Sequence, residues 1–218
     1  MTVRSLEKNL QARENGRRFS KYILIAAALF CVLLVAGTAF YILVLGPSRN
    51  PLDEKSAALE GNTYTNQAMN LRFTLPEGWS FLDEKTMKDF SQAGAEALDA
   101  EIPSENGGAK TLMTAMNMTT GTTIHITGSW NSTPAGEVIE AAADMGASLI
   151  ADHYTLQRLE AIDLGGYSYE MVQIAFPDYG TEMYFLVGNV RDYVMNIVVA
   201  GDIAEEPFWY LGAFSDLA

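Results

Sequence analysis

The chain has 218 residues, 49% hydrophobic and 19% charged, with 27 Asp and Glu against 14 Lys and Arg and a net charge of −13. That charge excludes the classes that hold polyanions: no nucleic acid and no anionic lipid surface is an expected partner of the acidic part. The one cysteine, Cys31, excludes a disulfide framework, so the fold must rest on its apolar core.

Residues 1–21 form a basic tail, carrying Arg4, Lys8, Arg13, Arg17, Arg18 and Lys21 against Glu7 and Glu14. Residues 22–45 follow as an uncharged stretch dominated by apolar types. At about 1.5 Å per residue its 24 residues cover the roughly 30 Å of a bilayer's hydrocarbon. The reading is a transmembrane signal-anchor helix, with the tail held in the cytoplasm by its basic residues and everything after Leu45 outside. A cleaved secretory signal is the competing reading, with Gly37-Thr38-Ala39 as its small-x-small site, but Phe40 to Leu45 carry the apolar run past that site. A lipoprotein signal does not fit, because Ala28 and Phe30 stand where a Leu-type and a small residue belong before Cys31. Cys31 reads as a packing residue of the span.

Residues 46–218 hold 8 Lys and Arg against 25 Asp and Glu. Gly46-Pro47 stops the helix, and residues 46–62 read as a polar linker to one domain at 63–218. Leu71 to Leu75 alternates apolar and polar as a strand does, then runs into Pro76-Glu77-Gly78-Trp79, with Trp79 as a core plug. Asp83 suits an N-cap, with Leu82 stapling onto Met87 and Phe90 continuing the helical face. After Pro103 and Gly107-Gly108, residues 111–118 and 122–129 read as a hairpin turning at Thr119-Thr120-Gly121. Thr133-Pro134 opens a helix to Ile150, apolar along Val138, Ala142, Met145 and Leu149 and polar along Glu137, Glu140, Asp144 and Ser148. Strands near 155–163, 167–176, 181–188 and 193–200 make a meander. In the last, Tyr193, Met195, Ile197 and Val199 oppose Val194 and Val198, so both faces need cover. A closing helix begins between Asp202 and Pro207, with Phe208, Leu211 and Phe214 at intervals of three. The expected fold is α+β: an antiparallel sheet of about six to seven strands with helices on its faces, an α/β/α sandwich, preceded by one transmembrane helix.

This element order, with Leu71-Arg72-Phe73-Thr74-Leu75-Pro76-Glu77-Gly78-Trp79 at its head and the turn at Thr120-Gly121, resembles the PsbP-like (Mog/PsbP) fold over about residues 63 to 217. The resemblance implies an accessory binding protein of the bacterial envelope rather than an enzyme, and it carries no functional residue onto this chain.

No catalytic constellation stands out. His125 alternates with Ile124 and Ile126 and so points to the other face of its strand, while His153 follows the long helix beside Asp152. Neither has metal-ligand spacing around it. No nucleophile elbow or phosphate loop is present, and Ser5-Leu6-Glu7-Lys8 falls in the tail, where no pocket forms. Glu205-Glu206 and Asp83-Glu84 sit at helix starts, where negative charge suits the dipole. Asn117-Met118-Thr119 and Asn131-Ser132-Thr133 match a glycosylation pattern that arises easily by chance. In Phe208-Trp209-Tyr210, one face buries Phe208 with Leu211, which leaves Trp209 or Tyr210 as the candidate partner contact. The expected function is non-catalytic binding of an envelope protein or a small ligand, with no cofactor and no metal. The partners are the lipid bilayer through residues 22–45 and that ligand. The alternatives are an extracytoplasmic hydrolase or metal-dependent enzyme with a scattered site, and a sensor acting through a membrane partner.

Overall fold

The computed structural model describes residues 57–83, 85–86, 110–130, 134–140, 155–177 and 180–217. The tail 1–21, the span 22–45, the larger part of the linker, His153 and the second half of the helix after Pro134 lie outside the described residues. No helix among the described residues is long and apolar enough to cross a membrane.

The described chain is mostly antiparallel β, in two sheets. In chain order the strands are β1 (Ala57–Glu60), β2 (Thr63–Asn66), β3 (Leu71–Thr74), β4 (Trp79–Phe81), β5 (Lys110–Asn117), β6 (Thr123–Trp130), β7 (Thr155–Leu164), β8 (Tyr167–Phe176), β9 (Thr181–Val190), β10 (Tyr193–Asp202) and β11 (Phe214–Asp216). The smaller sheet runs β1-β2-β3-β11 and the larger β4-β5-β6-β10-β9-β8-β7.

The expected α/β/α sandwich is therefore corrected. A large sheet buried on both sides does form, but one face is covered by a second sheet. Tyr64, Leu71, Phe73 and Phe214 of the small sheet share a core with Ile124, Ile126, Tyr169, Leu186, Met195 and Ile197 of the large one. The opposite face is packed by Val138 and Ile139 of the helix at residues 135–140 against Val172, Val187 and Val194. Two stretches differ from their sequence reading, the closing helix and the end of the linker. The spacing of three in Phe208, Leu211 and Phe214 fits a 3-10 helix as well as an α-helix, and Ala57-Ala58-Leu59-Glu60, whose residue types favour helix, is held as a strand by pairing to Thr63–Asn66. This first strand falls inside the stretch read as linker.

Local signals hold where their residues are described. The Asp83 carboxylate accepts from the Thr86 amide at 2.7 Å, and hydrogen bonds from Thr86 keep its pKa below the usual carboxylate range. Asn117 closes the β5–β6 turn by accepting from the Thr119 and Thr120 amides at 2.9 and 3.2 Å, a structural use for the first residue of that tripeptide. The helix at 135–140 gains a remote cap, the Asn189 side chain accepting from the Ala135 amide at 2.7 Å. β7 forms one edge of the large sheet, and it is blunted by Arg158, Glu160 and Asp163 and by a bulge between Leu159 and Ile162.

Two glycines make room for close contacts, one within the large sheet and one between the sheets. A Cβ on Gly188 would stand 2.7 Å from the Tyr169 ring, which lies across β9 at that point. Gly165, in the β7–β8 turn at φ +62, would bring a Cβ to 2.4 Å from the Met69 carbonyl and 2.8 Å from that of Asn70. Asn70 Nδ2 donates back to the Gly165 carbonyl at 3.3 Å, so this turn ties the two sheets together. Gly165→Ala adds a backbone clash to left-handed strain and should cost more than about 3 kcal/mol. Gly61→Ala, also at positive φ but facing open space, should cost only about 1 kcal/mol. Urea unfolding of the two variants checks this; equal losses would mean that Gly165 is not a point of contact between the sheets.

Candidate functional site

The chain leaves the large sheet at Asp202 and re-enters the fold at Phe214, and the stretch between is built by short-range forces. The Asp202 carboxylate accepts from the Ala204 amide at 2.8 Å and so caps the 3-10 turn Ile203–Glu205. Glu206 takes a left-handed conformation at φ 48 and ψ 67, and Pro207 opens a second 3-10 segment, Pro207–Ala213. Three residues per turn align Leu211 with Phe214, and both are buried, as is Pro207.

Tyr210 turns inward, its ring 4.7 Å from that of Trp79, so the Trp79 plug sits under this segment. Trp209 is left 72% exposed and Phe208 43% exposed. Of the two candidate contact residues, the geometry thus presents Trp209 to solvent and gives Tyr210 a packing role. The Trp209 indole Nε1–H donates to the Glu206 carboxylate, which fixes the ring orientation and leaves its faces bare.

Beneath Phe208 lies a polar triangle. Its ring centroid is 5.4 Å from that of Tyr184. The Tyr184 hydroxyl donates to Glu182 Oε1 at 3.1 Å, and Gln173 Nε2 donates to Glu182 Oε2 at 2.7 Å and to the Tyr184 oxygen at 3.0 Å. Burial, reinforced by the Glu182 carboxylate alongside and by the charge of Glu206, pushes the Tyr184 hydroxyl up to about 12. The phenol stays a donor and both carboxylate oxygens are occupied. The triangle pins β8 to β9 and is not arranged as a free general base. Sequence reasoning missed Glu182, although it left a signal: a lone carboxylate on the core parity of β9, in step with Tyr184 and Leu186.

His125 lies on the face of the large sheet away from Ile124 and Ile126, as its alternation predicts. It is buried, with Nδ1 2.6 Å from Thr114 Oγ1, and desolvation pushes its pKa down to about 4. Among the described residues, no three His, Cys, Asp or Glu side chains converge as metal ligands. A cleft of about 240 Å³ opens between β1 and β5, walled by Leu59, Tyr64, Phe81, Leu112 and Met113. Among the described residues its lining holds no carboxylate or histidine, and the Tyr64 hydroxyl there accepts from Asn66 Nδ2 at 2.9 Å.

No family model and no curated protein matches the chain. Among solved structures it is similar to the solution structure of cyanobacterial PsbP (CyanoP) from Synechocystis, with a TM-score of 0.44 at 10% identity over 71% of this chain and 91% of that one. It is also similar to the crystal structure of LpqN, involved in cell envelope biogenesis of Mycobacterium tuberculosis, with a TM-score of 0.36 at 11% identity over 68% of this chain and 83% of that one.

Because the folded state holds His125 neutral while the unfolded chain protonates near 6.5, its burial favours folding above that pH, and the gain is lost as pH falls towards 4. Urea midpoints should therefore drop across that window. In His153→Gln protein the remaining imidazole should stay neutral by NMR at pH 5; a ring titrating near 6.5 in the folded state would contradict the burial of His125.

Proposed function

We propose that the chain is a membrane-anchored extracytoplasmic binding protein of the bacterial cell envelope, non-catalytic, whose outer domain meets a partner through its closing 3-10 segment. Residues 22–45 hold it in the bilayer with the N-terminus cytoplasmic, a reading supported by the length of the apolar run and the basic tail before it. The observation that carries the contact is Trp209, 72% exposed beside a 43% exposed Phe208 while Pro207 and Leu211, in the same segment, are buried. A large indole held in water by its neighbours, on a segment whose other side chains fix its position, has the form of a preorganised anchor. The partner is an envelope protein in this reading. No cofactor and no metal enters it.

A photo-cross-linking amino acid at position 209, expressed in the full chain in its native membrane, should give a defined adduct. The same group at position 160, on the exposed β7 edge, should give none. Protease added from outside should then cut the adduct together with the domain. Equal labelling at both positions would remove the contact reading. Full protection from protease, under conditions in which a cytoplasmic control also survives, would overturn the topology.

A further inference from the structure

The stretch of chain that carries the closing segment is acidic. From residue 159 to the end of the chain there are ten Asp and Glu and one basic residue, Arg191. Arg191 sits in the β9–β10 turn, at the far end of β10 from Asp202. The ten residues of β10 put roughly 30 Å between that guanidinium's backbone and the start of the closing segment. Asp202, Glu206 and Glu182 place carboxylates at the patch, and a cation, Arg72 of β3, stands opposite Ser215, beyond the other end of the segment from Glu206.

The aromatic groups there are arranged so that their faces are the free feature. The indole N–H of Trp209 is already taken by Glu206, so the ring offers its π-face and, beside it, a carboxylate with one oxygen engaged. An indole face and a carboxylate edge held together are the two features that a planar guanidinium satisfies at once, by stacking and by ion pairing. Phe208 supplies an apolar flank for the methylene stem of such a side chain. A second copy of the same face would bring like charges together, and a nucleic acid or an anionic membrane would be repelled. The basic tail 1–21 of a neighbouring copy lies across the bilayer in the topology proposed above.

We propose that Trp209, Phe208 and the Glu206 carboxylate form the docking surface for an arginine-bearing segment of a partner protein. This inference rests on the reading of the closing segment as a contact surface and adds the chemistry of what it contacts. Tyr184 supports the Phe208 flank from below, and the Glu182 carboxylate beside it adds negative potential without touching the ligand. Binding falls with ionic strength, as an ion pair at an exposed surface must.

The test uses the full chain in uncharged detergent and fluorescein-labelled hexa-arginine, followed by anisotropy, with hexa-glutamine as the uncharged control. Saturable binding of hexa-arginine and none of hexa-glutamine is expected. Trp209→Ala should weaken it about tenfold, and Glu206→Gln about fivefold, by loss of the stacking and pairing terms. A paired Glu160→Gln and Asp163→Gln variant on β7 removes more charge far from the patch and should leave the affinity within about twofold. Unchanged affinity in Trp209→Ala, an equal loss in the β7 variant, or the absence of hexa-arginine binding would each overturn the inference. If hexa-arginine fails while the cross-linker at position 209 still gives its adduct, the contact surface stands and only the arginine assignment falls; if both fail, the contact surface falls too.

Discussion

The structure turns on Phe73. It is fully buried, pairs across the small sheet with Phe214, and lies 4.9 Å ring to ring from Phe214 and 6.3 Å from Phe81 of the large sheet. Burying a phenylalanine completely is worth about 3 kcal/mol, and here the gain requires that the C-terminal strand reach the opposite sheet. β11 belongs beside β3, whereas β10, from which the chain comes, belongs to the large sheet. Residues 203–213 are therefore a bridge between layers that pack about 10 Å apart. The seven residues of Pro207–Ala213 rise roughly 14 Å as a 3-10 helix and only about 10 Å as an α-helix, so the extended form suits the crossing. With Pro207, Leu211 and Phe214 committed inward, Trp209 has nowhere to go but solvent.

The same constraint shapes the electrostatics. The bridge passes over one end of β8 and β9, where Glu182 would be an uncompensated buried charge without Tyr184 and Gln173. Phe208 lies against the Tyr184 ring and the Glu206 carboxylate is tied to the indole, so the aromatic and acidic groups are fixed relative to one another by packing below and a hydrogen bond above. A contact surface of this kind keeps its geometry before a partner arrives, which lowers the ordering cost of association.

Most strands were legible because their alternation is strong and their turns carry Gly, Asn or Asp at the places that need them. The β5–β6 hairpin turns at Thr119-Thr120-Gly121, with Gly121 at φ 80, and the meander from β7 to β10 pairs in sequence order. The layer architecture was not legible. Leu71–Thr74 reads as a strand, but nothing in it states which sheet it joins, and β1 is a strand only because β2 offers it a partner. In the closing segment the apolar interval marked Leu211 and Phe214 for burial, but Phe208, expected to be buried with Leu211, is 43% exposed, and an interval of three does not separate 3-10 from α geometry. Whether Tyr210 faces in or out depends on Trp79, a residue distant in sequence. The Glu182 triangle is tertiary in origin, since its members gain meaning only when β8 and β9 are in register, with Gln173 opposite Tyr184.

The claim on which the rest stands is that β11 closes the small sheet and thereby fixes the bridge. Native-state amide hydrogen exchange against denaturant measures it directly, residue by residue. The amides protected by the β3–β11 pairing, from Leu71 to Phe73 and from Phe214 to Asp216, should exchange through one common opening that merges with that of β10. Exchange of residues 214–216 at free-peptide rates, with β3 and β10 still protected, would show that the C-terminal strand is not part of the core and would remove the basis for a fixed Trp209.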